Sequence, residues 1–97
     1  MFAPRPAGQR AAYDAVVGWL REHGPVHEDA VDVGVFLKAE RKIAEARPKQ
    51  RWLNVSVYLR RGGAAELLTV RLRDAGDVDD RVLELLTEAY DAASEPG

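Results

Sequence analysis

The sequence predicts a single α+β domain over residues 1–97, built as a two-layer sandwich. Apolar residues repeat with a helical period near both ends of the chain and alternate with a period of two between them. The joins between the alternating segments are short, whereas a parallel crossover needs about a dozen residues. We therefore expect an antiparallel sheet of three to four strands, with N- and C-terminal helices packed on one face.

The first helix is predicted from about Ala7 to His23, after a flexible N-terminal extension over residues 1–6. One helical stripe carries its apolar residues, which are Tyr13, Val16, Val17 and Leu20. Gly24 and Pro25 follow, and together they end a helix, because glycine accepts the C-terminal turn and proline cannot continue it.

Alternation from Val31 to Lys38 predicts one half-buried strand, with Val31, Val33, Val35 and Leu37 on its inner side. A charged turn over residues 38–42 and a short return strand from Lys42 to Ala46, closed by Pro48, come next. The clearest strand runs from Trp52 to Arg60. Its inner residues are Leu53, Val55, Val57 and Leu59, and its outer residues are Trp52, Asn54, Ser56, Tyr58 and Arg60.

The last strand is predicted from Glu66 to Arg73, after a turn at Gly62 and Gly63, where glycine accepts positive φ. A second amphipathic helix from about Val78 to Ala93 follows, with Asp77 as its N-cap and residues 94–97 as a tail. We expect this helix and the Trp52–Arg60 strand to form the centre of the domain.

Charge is distributed unevenly, although the net charge is only −2. Residues 1–37 carry −2, residues 38–61 carry +6, and residues 62–97 carry −6. A block of one sign creates a local field that can attract an anionic partner. The absence of cysteine excludes a disulfide scaffold and cysteine zinc sites. No apolar run approaches the ~20 residues of a membrane span, and no signal-peptide layout is present, so a cytoplasmic protein without a membrane partner is predicted.

The sheet face opposite the helices has no predicted element to cover it. Aromatic and cationic residues on such a face are typical of a binding surface. The predicted binding residues are Phe36, Lys38, Arg51, Trp52, Tyr58, Arg60, Arg71 and Arg73. The prediction is a non-enzymatic interaction module that contacts a protein partner or a second copy of itself. The alternative is recognition of a polyanion or nucleic acid through the same residues and the basic 38–61 segment.

Catalytic and metal-binding patterns are weak in this chain, so no cofactor, metal or catalytic residue is predicted. His23 and His27 have a metal-ligand spacing, but Gly24 and Pro25 break the helix between them. Asp32 with the run Glu40-Arg41-Lys42 gives the alternative of a metal-dependent nuclease. Nucleases of that type have a larger mixed sheet, in which a helix crosses between two strands. The short Gly62-Gly63 turn leaves no room for such a helix here.

The order of several sequence blocks resembles the bacterial domain of unknown function numbered 5655, and more distantly the YdhG-like domains. The blocks are residues 20–26, 33–38, 42–49, 53–59, 77–80 and 88–90. Members of the first group carry labels such as hypothetical or predicted transport protein. The resemblance implies an α+β fold with an antiparallel sheet and brings no established catalytic residues. Ile43 stands where the group commonly has an aromatic residue, and the link from Arg60 to Glu66 is shorter than in many members.

Overall fold

The computed structural model describes residues 7–94 as two helices and one five-stranded sheet. The elements, in chain order, are α1 (Ala7–His23), β1 (His27–Val31), β2 (Gly34–Lys38), β3 (Lys42–Pro48), β4 (Leu53–Arg61), β5 (Ala64–Leu72), a 3₁₀ turn (Ala75–Asp77) and α2 (Asp80–Ser94). The strands are antiparallel neighbours in sequence order. This confirms the α+β class and the antiparallel sheet. Ser94, predicted to begin the tail, is the last residue of α2. The predicted extension over residues 1–6 and residues 95–97 of the predicted tail lie outside the described residues.

The sheet has five strands and not the predicted three to four, because β1 is not predicted by the periodicity. Asp32 and Val33 form a turn, and Val31 pairs with Gly34 across it. The predicted strand from Val31 is therefore two strands joined by a hairpin. Val31 shares the face of Asp29 and Phe36, opposite the helices, and Val33 lies in the turn, so neither side chain is on the inner side. The alternating valines continue a strand pattern through the turn, and the only nearby glycine follows the turn instead of occupying it.

The core lies on one side of the sheet. Along β4, Leu53, Val55, Val57 and Leu59 are buried, whereas the residues between them are only half-buried. Directly paired residues of antiparallel strands share a face, and Val55 pairs with both Ala46 and Val70. The two small alanines of β3, Ala44 and Ala46, leave room for α2, which packs on β3 and β4. The central strand is thus β3, and the predicted central strand, β4, lies next to it.

Both helices cover that side of the sheet and are joined by side-chain contacts. The indole Nε1 of Trp19 in α1 donates to Thr87 Oγ1 in α2 at 3.0 Å. The Tyr90 hydroxyl of α2 donates to the carbonyl oxygen of Pro25 at 3.2 Å. With both helices on one side, the opposite face of the sheet is left uncovered within residues 7–94.

The acidic run before α2 supplies caps. Asp79 accepts a hydrogen bond from the Val82 amide at 3.0 Å and is the N-cap of α2. The predicted N-cap, Asp77, is therefore wrong by two residues. Asp77 instead accepts from the Arg73 amide at 2.7 Å, and Asp74 accepts from the Gly76 amide at 2.9 Å. The extra 3₁₀ turn moves the start of the helix by two residues, which is why the cap differs.

The edge strand β1 is tied to α1 through Glu28. Glu28 pairs with Leu37, so its side chain points to the helical side of the sheet. There it accepts a hydrogen bond from the Tyr13 hydroxyl and forms an ion pair with Arg21 at 2.6 Å. Burial, followed by the hydrogen bond to Glu28 and its negative charge, raises the pKa of Tyr13 well above its usual range.

Replacing Tyr13 should change how stability depends on pH. The phenol of the unfolded chain ionises near pH 10, whereas the folded chain retains the proton because its Tyr13 pKa is raised. The stabilisation by Tyr13 is therefore complete below pH 10 and is lost as the pH rises above it. We expect the free energy of unfolding, measured with urea, to fall more steeply above pH 10 in the wild type than in Tyr13→Phe. Parallel profiles for the two proteins would contradict this account.

Candidate functional site

The uncovered face of the sheet is organised in rows of paired residues. One row crosses all five strands and contains Asp29, Phe36, Glu45, Ser56 and Thr69. The next contains Arg47, Asn54 and Arg71. Because paired residues share a face, these side chains lie on the side opposite the helices. The period of two in β4 is thus sufficient to predict which of its residues face outwards.

The middle of this face is polar. Glu45 is only 8% exposed and forms an ion pair with Arg47 at 3.1 Å. Ser56 and Thr69, on the neighbouring strands, share a hydrogen bond of 2.8 Å. Partial burial, with the negative charge of Glu45, raises the pKa of Tyr58, and Arg47 opposes that shift. A continuous apolar surface through the centre of the face is therefore not formed by the described residues.

A first group of predicted binding residues lies on β2. The ammonium groups of Lys38 and Lys42 are 5.8 and 4.4 Å from the centre of the Phe36 ring. Lys38 also forms an ion pair with Asp29 at 2.9 Å, and the hydrogen bond from Lys38 lowers the pKa of Asp29. The charge of Lys38 is thus partly neutralised within the protein.

A second group, which contains Arg51, Trp52 and Arg71, surrounds the β3–β4 turn, and we call this region the basic corner. Lys49 and Asn54 also belong to it but are not among the predicted binding residues. It comprises Lys49, Arg51, Trp52, Asn54 and Arg71, which with Gln50 line an open hollow of about 470 Å³. The backbone amide of Lys49 donates to the Trp52 carbonyl at 2.8 Å, which closes the hairpin and puts both residues on the outer face. The Arg71 guanidinium carbon lies 4.9 Å from the centre of the Trp52 ring.

The cations of the basic corner are exposed and form no ion pair within residues 7–94. Among the residues that the structure describes, no carboxylate lies within ion-pair distance of Lys49, Arg51 or Arg71. Trp52 is half-buried between them. Arg73 follows directly after Leu72, the partner of Leu53, and adds a fourth exposed cation beside the corner. The basic corner thus places several positive charges beside one aromatic ring.

The first turn of α1 holds the basic corner from behind. The amide Nε2 of Gln9 donates to the Lys49 carbonyl at 2.5 Å, and the Gln9 side chain is fully buried. Gly8 lies so close to the Arg73 carbonyl that a Cβ there would overlap it. These contacts fix the backbone of the corner on both sides of Trp52. The exposed side chains above that backbone remain free to turn towards a ligand.

The remaining predicted residues lie at the other end of the face. Tyr58 pairs with Leu67, which is 55% exposed, and Arg60 pairs with Ala65. A mostly apolar groove of about 380 Å³ runs past them towards the C-terminal end of α2. Five residues of extended chain lie between Trp52 and Tyr58, which places the two side chains about 20 Å apart. The eight predicted binding residues therefore form three separate groups.

Glu45 and Gln9 also shape this region and, like Lys49 and Asn54, are not among the predicted binding residues. Glu45 could be placed on the outer face, since it stands between Ala44 and Ala46 in a strand with two-residue alternation. No sequence signal connects Gln9 with Lys49, because forty residues separate them along the chain.

The structure separates the parts of the alternative nuclease site. Asp32 lies in the turn before β2, and Glu40 lies in the turn after it. The five residues of β2 hold these turns roughly 17 Å apart, too far for two ligands of one metal ion. Over residues 7–94, no group of three or more histidine, cysteine, aspartate or glutamate side chains is arranged to hold a metal.

Comparison with known proteins gives no match to a family model, a curated protein or a solved structure. The resemblance to the domain family numbered 5655 and to the YdhG-like domains therefore stays a prediction. Neither α1 nor α2 has the length and apolar composition to span a membrane. The cytoplasmic location also stays a prediction.

Removing Arg71 should expose the indole of Trp52. In a Trp19→Phe background, Trp52 is the only tryptophan of the chain, so its emission reports on this site alone. We expect Arg71→Ala to shift the emission maximum to longer wavelength, because the guanidinium no longer covers the ring. Arg60→Ala, at the far end of the same face, is the control and should leave the maximum unchanged. An unshifted maximum in Arg71→Ala would show that the two side chains are not stacked in solution.

Proposed function

We propose that this chain is a binding module whose basic corner contacts a phosphate-bearing polyanion. The observation that carries this proposal is a set of three cations around a half-buried tryptophan on an uncovered sheet face, with no carboxylate partner in the described part of the chain. An arginine guanidinium matches the geometry of phosphate oxygens, and lysine adds a mobile positive charge. The proposal assigns binding to this site and no chemical step.

Ion pairing elsewhere on the surface supports the choice of the corner. Of the cations in the basic 38–61 segment, Lys38, Arg47 and Arg61 each have a carboxylate partner within 4 Å. An incoming anion would compete with these carboxylates for the same cations. Arg41, Lys42 and Arg60 also have no carboxylate within 4 Å among the described residues, but they line the mostly apolar groove together with Glu66. None of the described residues that line the hollow of the corner is acidic, so the local field there is available to an anionic ligand.

Contact with a protein partner or a second copy of the chain, the function that the sequence predicts first, is the second candidate. The feature that favours it is the exposed Leu67 beside Tyr58, next to the apolar groove. Exposed apolar side chains that cluster on a surface are typical of protein contacts. We place this function second, because Glu45, Ser56 and Thr69 interrupt the apolar surface between that end and Trp52.

Binding through the corner should weaken with salt in proportion to the cations involved. For a single-stranded oligonucleotide, three phosphate contacts give a slope of about −2 in a plot of log affinity against log salt concentration. We expect Lys49→Ala/Arg71→Ala to reduce that slope to about −0.7, because one of the three cations remains. Fluorescence anisotropy of a labelled oligonucleotide at several salt concentrations measures both quantities.

The matched control is Lys42→Ala/Arg60→Ala, which removes the same charge from the same sheet face, away from the corner. We expect the control to retain nearly the wild-type slope. If the slope of log affinity against log salt concentration falls equally in both double variants, net charge, and not the corner, attracts the polyanion. A wild-type protein that binds neither the oligonucleotide nor heparin would overturn the proposed function.

A further inference from the structure

Two buried polar atoms of the basic corner have no hydrogen-bond partner. These are the indole Nε1 of Trp52, a donor, and the side-chain Oδ1 of Asn54, an acceptor. The two residues are separated by one position in the chain, so both belong to the outer face. Buried polar groups in folded proteins almost always have a partner, and an unpaired one costs free energy. A ligand that supplied a partner for the Asn54 Oδ1 would recover part of this cost.

Arg71 is the side chain that can open this site. Its guanidinium lies over the Trp52 ring, and its backbone position is directly opposite Asn54. It is exposed, and no carboxylate of the described chain holds it in place. If Arg71 turned towards a phosphate, it would uncover the ring face of Trp52 beside the Asn54 amide. This single movement of Arg71 would remove the guanidinium from the Trp52 ring and leave the ring face open to a ligand.

We infer that the basic corner binds a nucleotide of single-stranded nucleic acid, with its base stacked on Trp52 in the place that Arg71 now occupies. This inference rests on the proposed function and names the polyanion. A base has a flat π surface that stacks on indole, which a sulfated sugar or polyphosphate lacks. Arg71 then pairs with the adjacent phosphate, and Lys49 and Arg51 hold the backbone on either side of the turn.

The unpaired Oδ1 of Asn54 gives the corner a preference for one base over another. In its present orientation, the Asn54 amide can accept from the exocyclic amino group of cytosine through Oδ1. Thymine presents an oxygen at the corresponding position, so it could be bound there only if the amide turned and donated from Nδ2. The two bases have the same ring size, so stacking alone separates them little. The arrangement therefore favours cytosine over thymine at the nucleotide that stacks on Trp52.

The test uses the full chain in the Trp19→Phe background and three probes of similar length: oligo-deoxycytidine, oligo-deoxythymidine and heparin. We expect all three to bind, but only the oligonucleotides to quench Trp52 strongly at saturation. Trp52→Leu should weaken oligonucleotide binding about 10-fold and heparin binding less than about twofold, because stacking acts on bases alone. Circular dichroism of each variant verifies that the fold is retained.

The results separate this inference from the proposed function. If heparin and the oligonucleotides bind equally and both lose the same affinity in Trp52→Leu, the corner is a general polyanion site and the base-stacking inference is overturned. If none of the probes binds, the proposed function itself fails. Tighter binding of oligo-deoxycytidine that disappears in Asn54→Leu supports the contact of Asn54 with the base, and equal binding of the two oligonucleotides in the wild type overturns that contact.

Discussion

Burial of one face of β4 is the constraint on which the rest of the structure depends. Leu53, Val55 and Val57 are completely buried beneath the helices, so the register of this strand cannot change. A slip of one residue would turn these side chains to the outer face and bring Asn54 and Ser56 into the core. The same register therefore places Trp52 and Asn54 on the outside. The core thus determines the position of the residues that we assign to binding.

Most of the fold could be predicted because its signals are local. The stripe from Tyr13 to Leu20 and the Gly24-Pro25 stop define α1, and the alternation in β4 needs only its own residues. The prediction is wrong where two local signals coincide. Alternating valines on both sides of Asp32 read as one strand, and no glycine occupies the turn to mark a hairpin. Only the backbone pairing of Val31 with Gly34, which the pattern of side chains does not reveal, separates β1 from β2.

The candidate site was less predictable than the fold, because charge on the surface depends on contacts between distant residues. The sequence shows a positive segment over residues 38–61 but not which of its cations are neutralised. Arg61 pairs with Glu88 of α2, and Lys38 pairs with Asp29 of a strand that the periodicity does not predict. Lys49 and Arg51 lie at a hairpin tip, away from these carboxylates. Composition therefore predicts the sign of the field, while the fold determines its location.

The attachment of the corner to α1 bears on how a ligand can be recognised. Gln9 is buried and bonded to the Lys49 carbonyl, and the Lys49 amide is bonded to the Trp52 carbonyl, so the backbone beneath the indole is held by two hydrogen bonds in series. Ordering a loop on binding opposes affinity, and a backbone that is already fixed avoids that cost. Adaptation is then confined to exposed side chains, above all Arg71. The fixed backbone gives the aromatic contact with Trp52 a defined position. The exposed Arg71 side chain can change its rotamer, so its charge can adjust to the position of the ligand's phosphate.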